Sequence, residues 1–211
     1  MLLLSNIQKH YHHFLALDIP EIKFEKGLSW IKGANGSGKT TLFKIISGIA
    51  PFKGEIILNP NISCKKNPQQ YRLFVNYAPA EPVYPTFLTG NDLLDFYVSC
   101  KNGNAAQVKM LCDIFNMHEY IKNPVGTYSS GMLKKFSIAC AFIGNPKIIV
   151  LDEPLITLDE PSANNLYDLI KETLTKEVAV LISSHQKVNL SFFEKCNDYL
   201  VGNKTVLQLT S

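Results

Sequence analysis

Gly33-Ala34-Asn35-Gly36-Ser37-Gly38-Lys39-Thr40 has the residue types and spacing to hold phosphate groups. The pattern Gly-x-x-x-x-Gly-Lys-Thr is that of a phosphate-binding loop. Its glycines let the backbone take positive φ and turn N–H groups inward around an anion. A helix that starts just after the loop adds free N–H groups and a positive dipole end. Lys39 has the reach to meet terminal phosphates, and the Thr40 hydroxyl is a hard oxygen suited to Mg²⁺. Thr41 continues the binding segment. A Gly-rich turn that binds nothing is the competing reading, and the complete pattern in context disfavours it.

A second cluster follows far along the chain. Ile148-Ile149-Val150-Leu151 is an apolar run that ends in Asp152-Glu153. On a strand beside the loop strand, Asp152 would reach the metal and Glu153 would face an attacking water as general base. Two surface acids at a strand end are the bland alternative. A third apolar run, Val180-Leu181-Ile182, ends in Ser183-Ser184-His185. Its tip belongs on the same rim, where ligands bind in open α/β sheets. There His185 would contact the γ-phosphate and orient Glu153 or water. His10, His12, His13 and His118 are read as structural.

These groups need a scaffold that brings three strand ends together. The pattern predicts strands over Leu2–Ile7, Ile19–Phe24 and Leu28–Ile31, then a helix over Lys39–Ser47 that stops at Gly48. Further strands are expected at Gly54–Leu58 and Leu73–Tyr77. From Pro85 to Gly144 the spacing turns helical, with Thr89 as a cap, a helix over Ala105–Met117 and another over Met132–Phe142. The strands Lys147–Leu151 and Val178–Ile182 flank a helix over Ser162–Thr175. A short helix near Ser191–Lys195 and a hairpin turn at Gly202-Asn203 close the chain. Strands alternating with helices imply an α/β fold. The expected form is a P-loop NTPase core with a mostly parallel sheet, an N-terminal antiparallel β subdomain and an inserted helical subdomain. That gives a single domain over 1–211, with the core at 1–84 and 145–211 and the helical lobe at 85–144.

Composition excludes several other classes. With 46% apolar and 18% charged residues the chain is expected to be ordered throughout. A net charge of +3 gives no argument for nucleic acid. The pairs Lys65-Lys66 and Lys134-Lys135 read as solvated surface. Five scattered cysteines, none in a CxxC, suit a reducing compartment better than a disulfide framework. Cys140 lies in an apolar run and reads as core. No run approaches the ~18 apolar residues of a membrane span, so any membrane-spanning part would belong to another chain.

One further segment decides between the many enzymes that carry a P-loop. Tyr128-Ser129-Ser130-Gly131-Met132 stands between the helical lobe and the acid pair, ahead of an amphipathic helix. In the order loop, lobe, Ser-x-Gly segment, acid pair, Leu158-Asp159 and histidine, the chain resembles the ATP-binding cassette (ABC) ATPases. Specifically, it resembles the nucleotide-binding subunit of an ABC transporter, over essentially all 211 residues. The resemblance implies ATP as ligand with Mg²⁺, and a reaction of hydrolysis. It implies that Tyr11 stacks on adenine, that Gly33, Asn35, Gly36, Ser37, Gly38, Lys39, Thr40 and Thr41 hold the phosphates, and that Thr40 and Asp152 serve the metal. Glu153, His185 and Lys39 would be the catalytic set. Ser129 and Gly131 would contact ATP held by a second ABC subunit, homo- or heteromeric. Asp159 would lie in the loop that crosses between the two. A separate transmembrane permease would be the other partner, and the location would be the cytoplasmic face of a cell membrane.

Three departures from the family pattern stand out. The signature reads Tyr-Ser-Ser-Gly-Met rather than Leu-Ser-Gly-Gly-Gln, a variant similar to those of the exporter branch. Ala80 occupies the place of a glutamine that links metal and water to the membrane partner, and Glu81 beside it would point elsewhere. The loop Leu155-Ile156-Thr157-Leu158-Asp159 lacks the usual small residue before its second leucine. Two alternatives therefore stay open beside the transporter subunit. One is a soluble ABC ATPase outside transport, and the other is an ATP-binding module with weak turnover. A phosphoryl-transfer kinase fits less well, because the signature and Glu153 have no role in one.

Overall fold

The computed structural model describes residues 1–58, 61–184, 193 and 195–209. Two sheets share the work. The first is antiparallel and orders its strands β2 (Phe14–Phe24), β1 (Leu2–Tyr11), β4 (Lys53–Leu58) and β5 (Ile62–Ser63). The second has six strands in the order β10 (Thr205–Leu209), β9 (Cys196–Gly202), β3 (Gly27–Lys32), β8 (Ala179–Ser183), β7 (Ile148–Leu151) and β6 (Val75–Ala78). The pairs β9–β3, β3–β8, β8–β7 and β7–β6 are parallel, and only the β9–β10 hairpin is antiparallel. The expected fold class is therefore the observed one.

Among the described residues, helices α1 (Lys39–Ile46), α2 (Pro68–Phe74), α3 (Gly90–Lys101), α4 (Ala105–Phe115), α5 (Ser130–Ala141) and α6 (Glu160–Leu174) accompany the sheets. The central strands are buried on both faces, which explains their unbroken apolar runs. Successive side chains alternate between two cores. Ile149, Leu151, Val180 and Ile182 join Leu93, Leu111, Phe115, Phe136 and Ile170 on the helical side. Ile148, Val150 and Leu181 join Leu4, Ile19, Leu42 and Phe43 on the side of α1 and the antiparallel sheet. Cys140 is buried in the helical-side core, as its run implied.

Local chemistry sets the helix ends. Thr89 caps α3 through a reciprocal pair with Asp92, whose backbone N–H it accepts at 3.1 Å. Gly48, at φ 66°, follows α1 and its Ser47 cap.

Four expectations need correction. Leu73 and Phe74 finish α2, and the strand begins only at Val75. The β9–β10 turn is Asn203-Lys204, both at positive φ, one residue beyond the expected pair. This is the mirror-image turn that matches strand twist. The strand of the acid pair is not beside the loop strand, because β8 lies between β3 and β7. Lys134 is 1% exposed, not solvated surface. Three backbone carbonyls, all distant from it in sequence, hold its ammonium. The helix expected near Ser191–Lys195 falls largely outside the described residues.

Candidate functional site

Strand β3 ends at Lys32, and the chain then turns through Gly33 to Gly38 into α1. Gly33 has φ 154°, and a Cβ there would lie 2.5 Å from both Ser37 Oγ and the Val201 carbonyl. Only glycine fits that position. Gly38, at φ 110°, is the N-terminal cap residue of α1, and no side chain caps the helix. The first turn of α1 carries no acid, so its positive end stays available to an anion.

Lys39 folds back over the loop. Its ammonium donates to the carbonyls of Gly33 at 2.8 Å and Ala34 at 3.1 Å. Burial lowers its pKa, while the nearby Glu153 and Asp152 carboxylates oppose that shift. An arriving phosphate would exchange two neutral acceptors for an anionic one, a stronger hydrogen-bond partner.

Two adjoining cavities open on this loop. The smaller, of about 220 Å³, is lined by Asn35, Lys39, Thr40, Thr41 and Glu153 together with Gly36 to Gly38. It places the expected base in the same hollow as the expected metal ligand Thr40. The larger, of about 590 Å³, runs from Gly36, Ser37 and Thr41 to Tyr11, Phe14 and the Asn203-Lys204 turn. Tyr11 is 44% exposed, with Lys9 Nζ 4.5 Å from its ring centroid. Phe14, 64% exposed, lines the same cavity and was not anticipated. Its one sequence signal was an aromatic residue three positions after Tyr11.

The acid pair is held from several directions. Asp152 is buried, and its Oδ1 accepts from Ser183 Oγ at 2.7 Å. Its Oδ2 accepts from the Tyr77 hydroxyl at 3.3 Å. Burial, and then the Asp152 charge, push the Tyr77 phenol well above its ordinary range. Ser183 Oγ also accepts the backbone N–H of Glu153 at 3.0 Å. Glu153 itself sits at φ 47°, an uncommon conformation for a residue with a Cβ. Strain of that kind clusters at functional positions. The strand that separates β3 from β7 thus supplies Ser183, a residue the sequence marked only as the polar end of an apolar run.

Lys134 completes this corner. Its ammonium donates at 3.0 Å to each of the carbonyls of Pro79, Ala80 and Asp152. Burial pushes its pKa down to about 8, opposed by the charges of Asp152 and Glu153.

The signature segment lies apart from the loop cavities. Ser129 is the N-cap of α5, and its Oγ accepts from Met132 N at 3.2 Å. A Cβ on Gly131 would meet the Thr157 carbonyl at 3.1 Å, so α5 begins against the Leu155–Asp159 loop. Thr157 has φ 67°, strained for a β-branched residue. Asp159 caps α6 by accepting from Ser162 N at 2.9 Å, and it pairs with Lys135 at 2.7 Å. Neither Ser129 nor Gly131 lines either loop cavity of its own chain. His185 lies outside the described residues.

Among the described residues no three His, Cys, Asp or Glu side chains gather as a metal cage. Thr40 and Asp152 are hard oxygen donors, a set that suits a cation carried mainly by phosphates and water. Also among the described residues, no helix is long and apolar enough to cross a membrane.

A family model described as ABC transporter matches residues 22–156, which include the loop, the signature and the acid pair. The chain belongs to the ABC transporter family. It is an ATP-binding cassette ATPase. It is 37% identical to the cytochrome c biogenesis ATP-binding export protein CcmA of Legionella pneumophila (strain Paris), over 78% of this chain and 82% of that protein. It is 28% identical to the zinc import ATP-binding protein ZnuC of Wolbachia sp. subsp. Brugia malayi (strain TRS), over 95% of this chain and 78% of that one. Among solved structures it resembles an ATP-binding subunit of an ABC transporter, with a TM-score of 0.89 and 24% identity over 100% of this chain and 90% of that chain. A dimeric ATP-binding cassette in a post-hydrolysis state, bound to ADP and Pi, matches with a TM-score of 0.86 and 19% identity over the whole of both chains. These two likenesses establish the fold of the ABC family for this chain.

Proposed function

We propose that this chain is the ATP-hydrolysing subunit that drives a separate membrane permease, and that it works paired with a second ABC subunit. The observation that carries the reading is the shared hollow of Lys39, Thr40 and Glu153. It unites a phosphate-binding lysine, a metal-ligating hydroxyl and a carboxylate base.

The roles follow from that geometry. Tyr11 and Phe14 offer aromatic surface to the adenine. Loop N–H groups from Gly33 to Thr41 hold the phosphates, and Lys39 leaves the Gly33 and Ala34 carbonyls to join them. Thr40 and Asp152 would hold Mg²⁺, which neutralises charge on the phosphates when bound. Glu153 takes a proton from water as the water oxygen bonds to the γ-phosphorus. The bond from that phosphorus to the bridging oxygen breaks, leaving ADP and phosphate. His185 is assigned to the γ-phosphate. Ser129, Gly131 and Asp159 are assigned to the subunit interface, because Ser129 and Gly131 stand outside their own chain's loop cavities. We assign 85–144 to the signature lobe and 1–84 with 145–211 to the core.

The permease would dock at the junction of these parts. A cavity of about 290 Å³ there is lined by Ile49, Arg72, Tyr77, Val83 and Tyr84 among others, and Val83 is 88% exposed. Such an open apolar hollow suits a short helical segment of a membrane protein. This would hold the subunit at the cytoplasmic face. Higher identity to an export protein than to an import protein favours export. The test is purification of the tagged chain from native membranes. Co-purification of a multi-span membrane protein supports the proposal, and recovery of the tagged chain from the soluble fraction with no multi-span partner refutes the transport reading.

A further inference from the structure

We propose that Lys134 is a positioning residue for hydrolysis, tying the signature helix to the peptide that joins Asp152 to Glu153. The proposal rests on the hydrolytic reading above and deepens it. Lys134 is buried, and an ammonium taken out of water must be fully satisfied to persist. It has three N–H donors, and they meet three carbonyls at 3.0 Å: Pro79, Ala80 and Asp152. These acceptors come from two segments, the loop after β6 and the tip of β7. The donor comes from a third element, α5.

The Asp152 carbonyl and the Glu153 N–H belong to one planar peptide. Lys134 holds its oxygen, and Ser183 holds its N–H at 3.0 Å. With both ends fixed, the peptide sets the direction from which the Glu153 side chain leaves. That is how Glu153 is kept at φ 47°, a conformation that a carboxylate residue rarely takes unaided. Position 80 carries only a methyl group, so this loop reaches the acid pair through its backbone and Lys134.

The same lysine lies one turn beyond Gly131 on α5, where the helix meets the Thr157 carbonyl. Any displacement of α5 or of the Pro79–Ala80 loop must therefore move the Asp152–Glu153 peptide. Lys134 acts through Glu153 and touches neither phosphate-loop cavity.

The experiment compares the full-length wild type with Lys134→Met and Lys134→Gln. It measures the thermal midpoint, Kd for fluorescent ATP and steady-state kcat. Lys134→Met should lower kcat about 100-fold through a misplaced base while Kd stays within about three-fold. Lys134→Gln retains two donors and should recover part of kcat. Unchanged kcat in either folded variant would overturn the proposal, as would parallel losses in kcat and affinity. Should Lys134→Met fail to fold, Lys134→Gln decides alone by the same split between kcat and Kd. Glu153→Gln, run alongside, separates the two levels. If it turns over like wild type, the hydrolytic reading itself has failed.

Discussion

The Ser183 hydroxyl donates to Oδ1 of Asp152 at 2.7 Å. The Ser183 hydroxyl oxygen in turn accepts the N–H of Glu153 at 3.0 Å, so one side chain from β8 holds both residues of the acid pair that follows β7. Ser183→Ala would leave a buried N–H and a buried carboxylate oxygen each short of a partner. The expected loss of stability is about 1–3 kcal/mol, read by denaturant unfolding. Phosphate release should fall with it by roughly 10-fold or more, because the base loses its orientation. A variant as stable and as active as wild type would show that this bridge is incidental.

Tyr11 and Phe14 share the larger cavity and make a prediction about the nucleobase. Loss of one stacking face should weaken ATP binding by about 0.5–1.5 kcal/mol, roughly 2- to 12-fold. Tyr11→Ala and Phe14→Ala should show this for ATP and leave binding of inorganic triphosphate unchanged. Equal losses for both ligands would remove the aromatic pair from base recognition.

Asp159 gives a prediction with a pH signature. Its pKa is lowered to about 2, first by the hydrogen bond with Lys135 and then by those with Ser162. The folded state thus holds the charged form below the ordinary value of 3.8. Its contribution is present above pH ~4 and is lost as pH falls through ~2. Asp159→Ala should cost about 1 kcal/mol near neutrality, mainly through the lost cap of α6. The gap between wild type and variant should close on acidification. A gap that stays constant from pH 6 to pH 2 would contradict the assignment.

The loop, the acid pair and the fold class were legible in the sequence for a physical reason. Gly33 and Gly38 occupy backbone positions that exclude or strain other residues, so the requirement is written as residue type. The runs Ile148–Leu151 and Val180–Ile182 are apolar throughout because helices cover one of their faces and α1 with the antiparallel sheet covers the other. What was illegible depends on contacts distant along the chain. Nothing local places β8 between β3 and β7, and so Ser183 gave no signal of its role. Lys134 followed by Lys135 looks like a solvated pair, yet only Lys135 reaches the surface acid Asp159. The three carbonyls that bury Lys134 lie 18 to 55 positions away. Phe14 fell between the expected strands, and only the fold brings it into one cavity with Tyr11 and the Asn203-Lys204 turn.

Lys39 is proposed to supply the charge on which phosphate binding rests. Lys39→Ala removes it and should raise the Kd for ATP at least roughly 10-fold, by the loss of a charge-assisted hydrogen bond. Equilibrium binding of a fluorescent ATP analogue reads this directly. Unchanged affinity would place the triphosphate elsewhere.

Glu153, beside Lys39 and Thr40, is proposed as the base for ATP hydrolysis. Phosphate release by wild type and Glu153→Gln, at saturating ATP with Mg²⁺, tests it most directly. Glu153→Gln should lose about 100-fold or more in turnover and retain ATP affinity. Turnover by Glu153→Gln equal to wild type would contradict it.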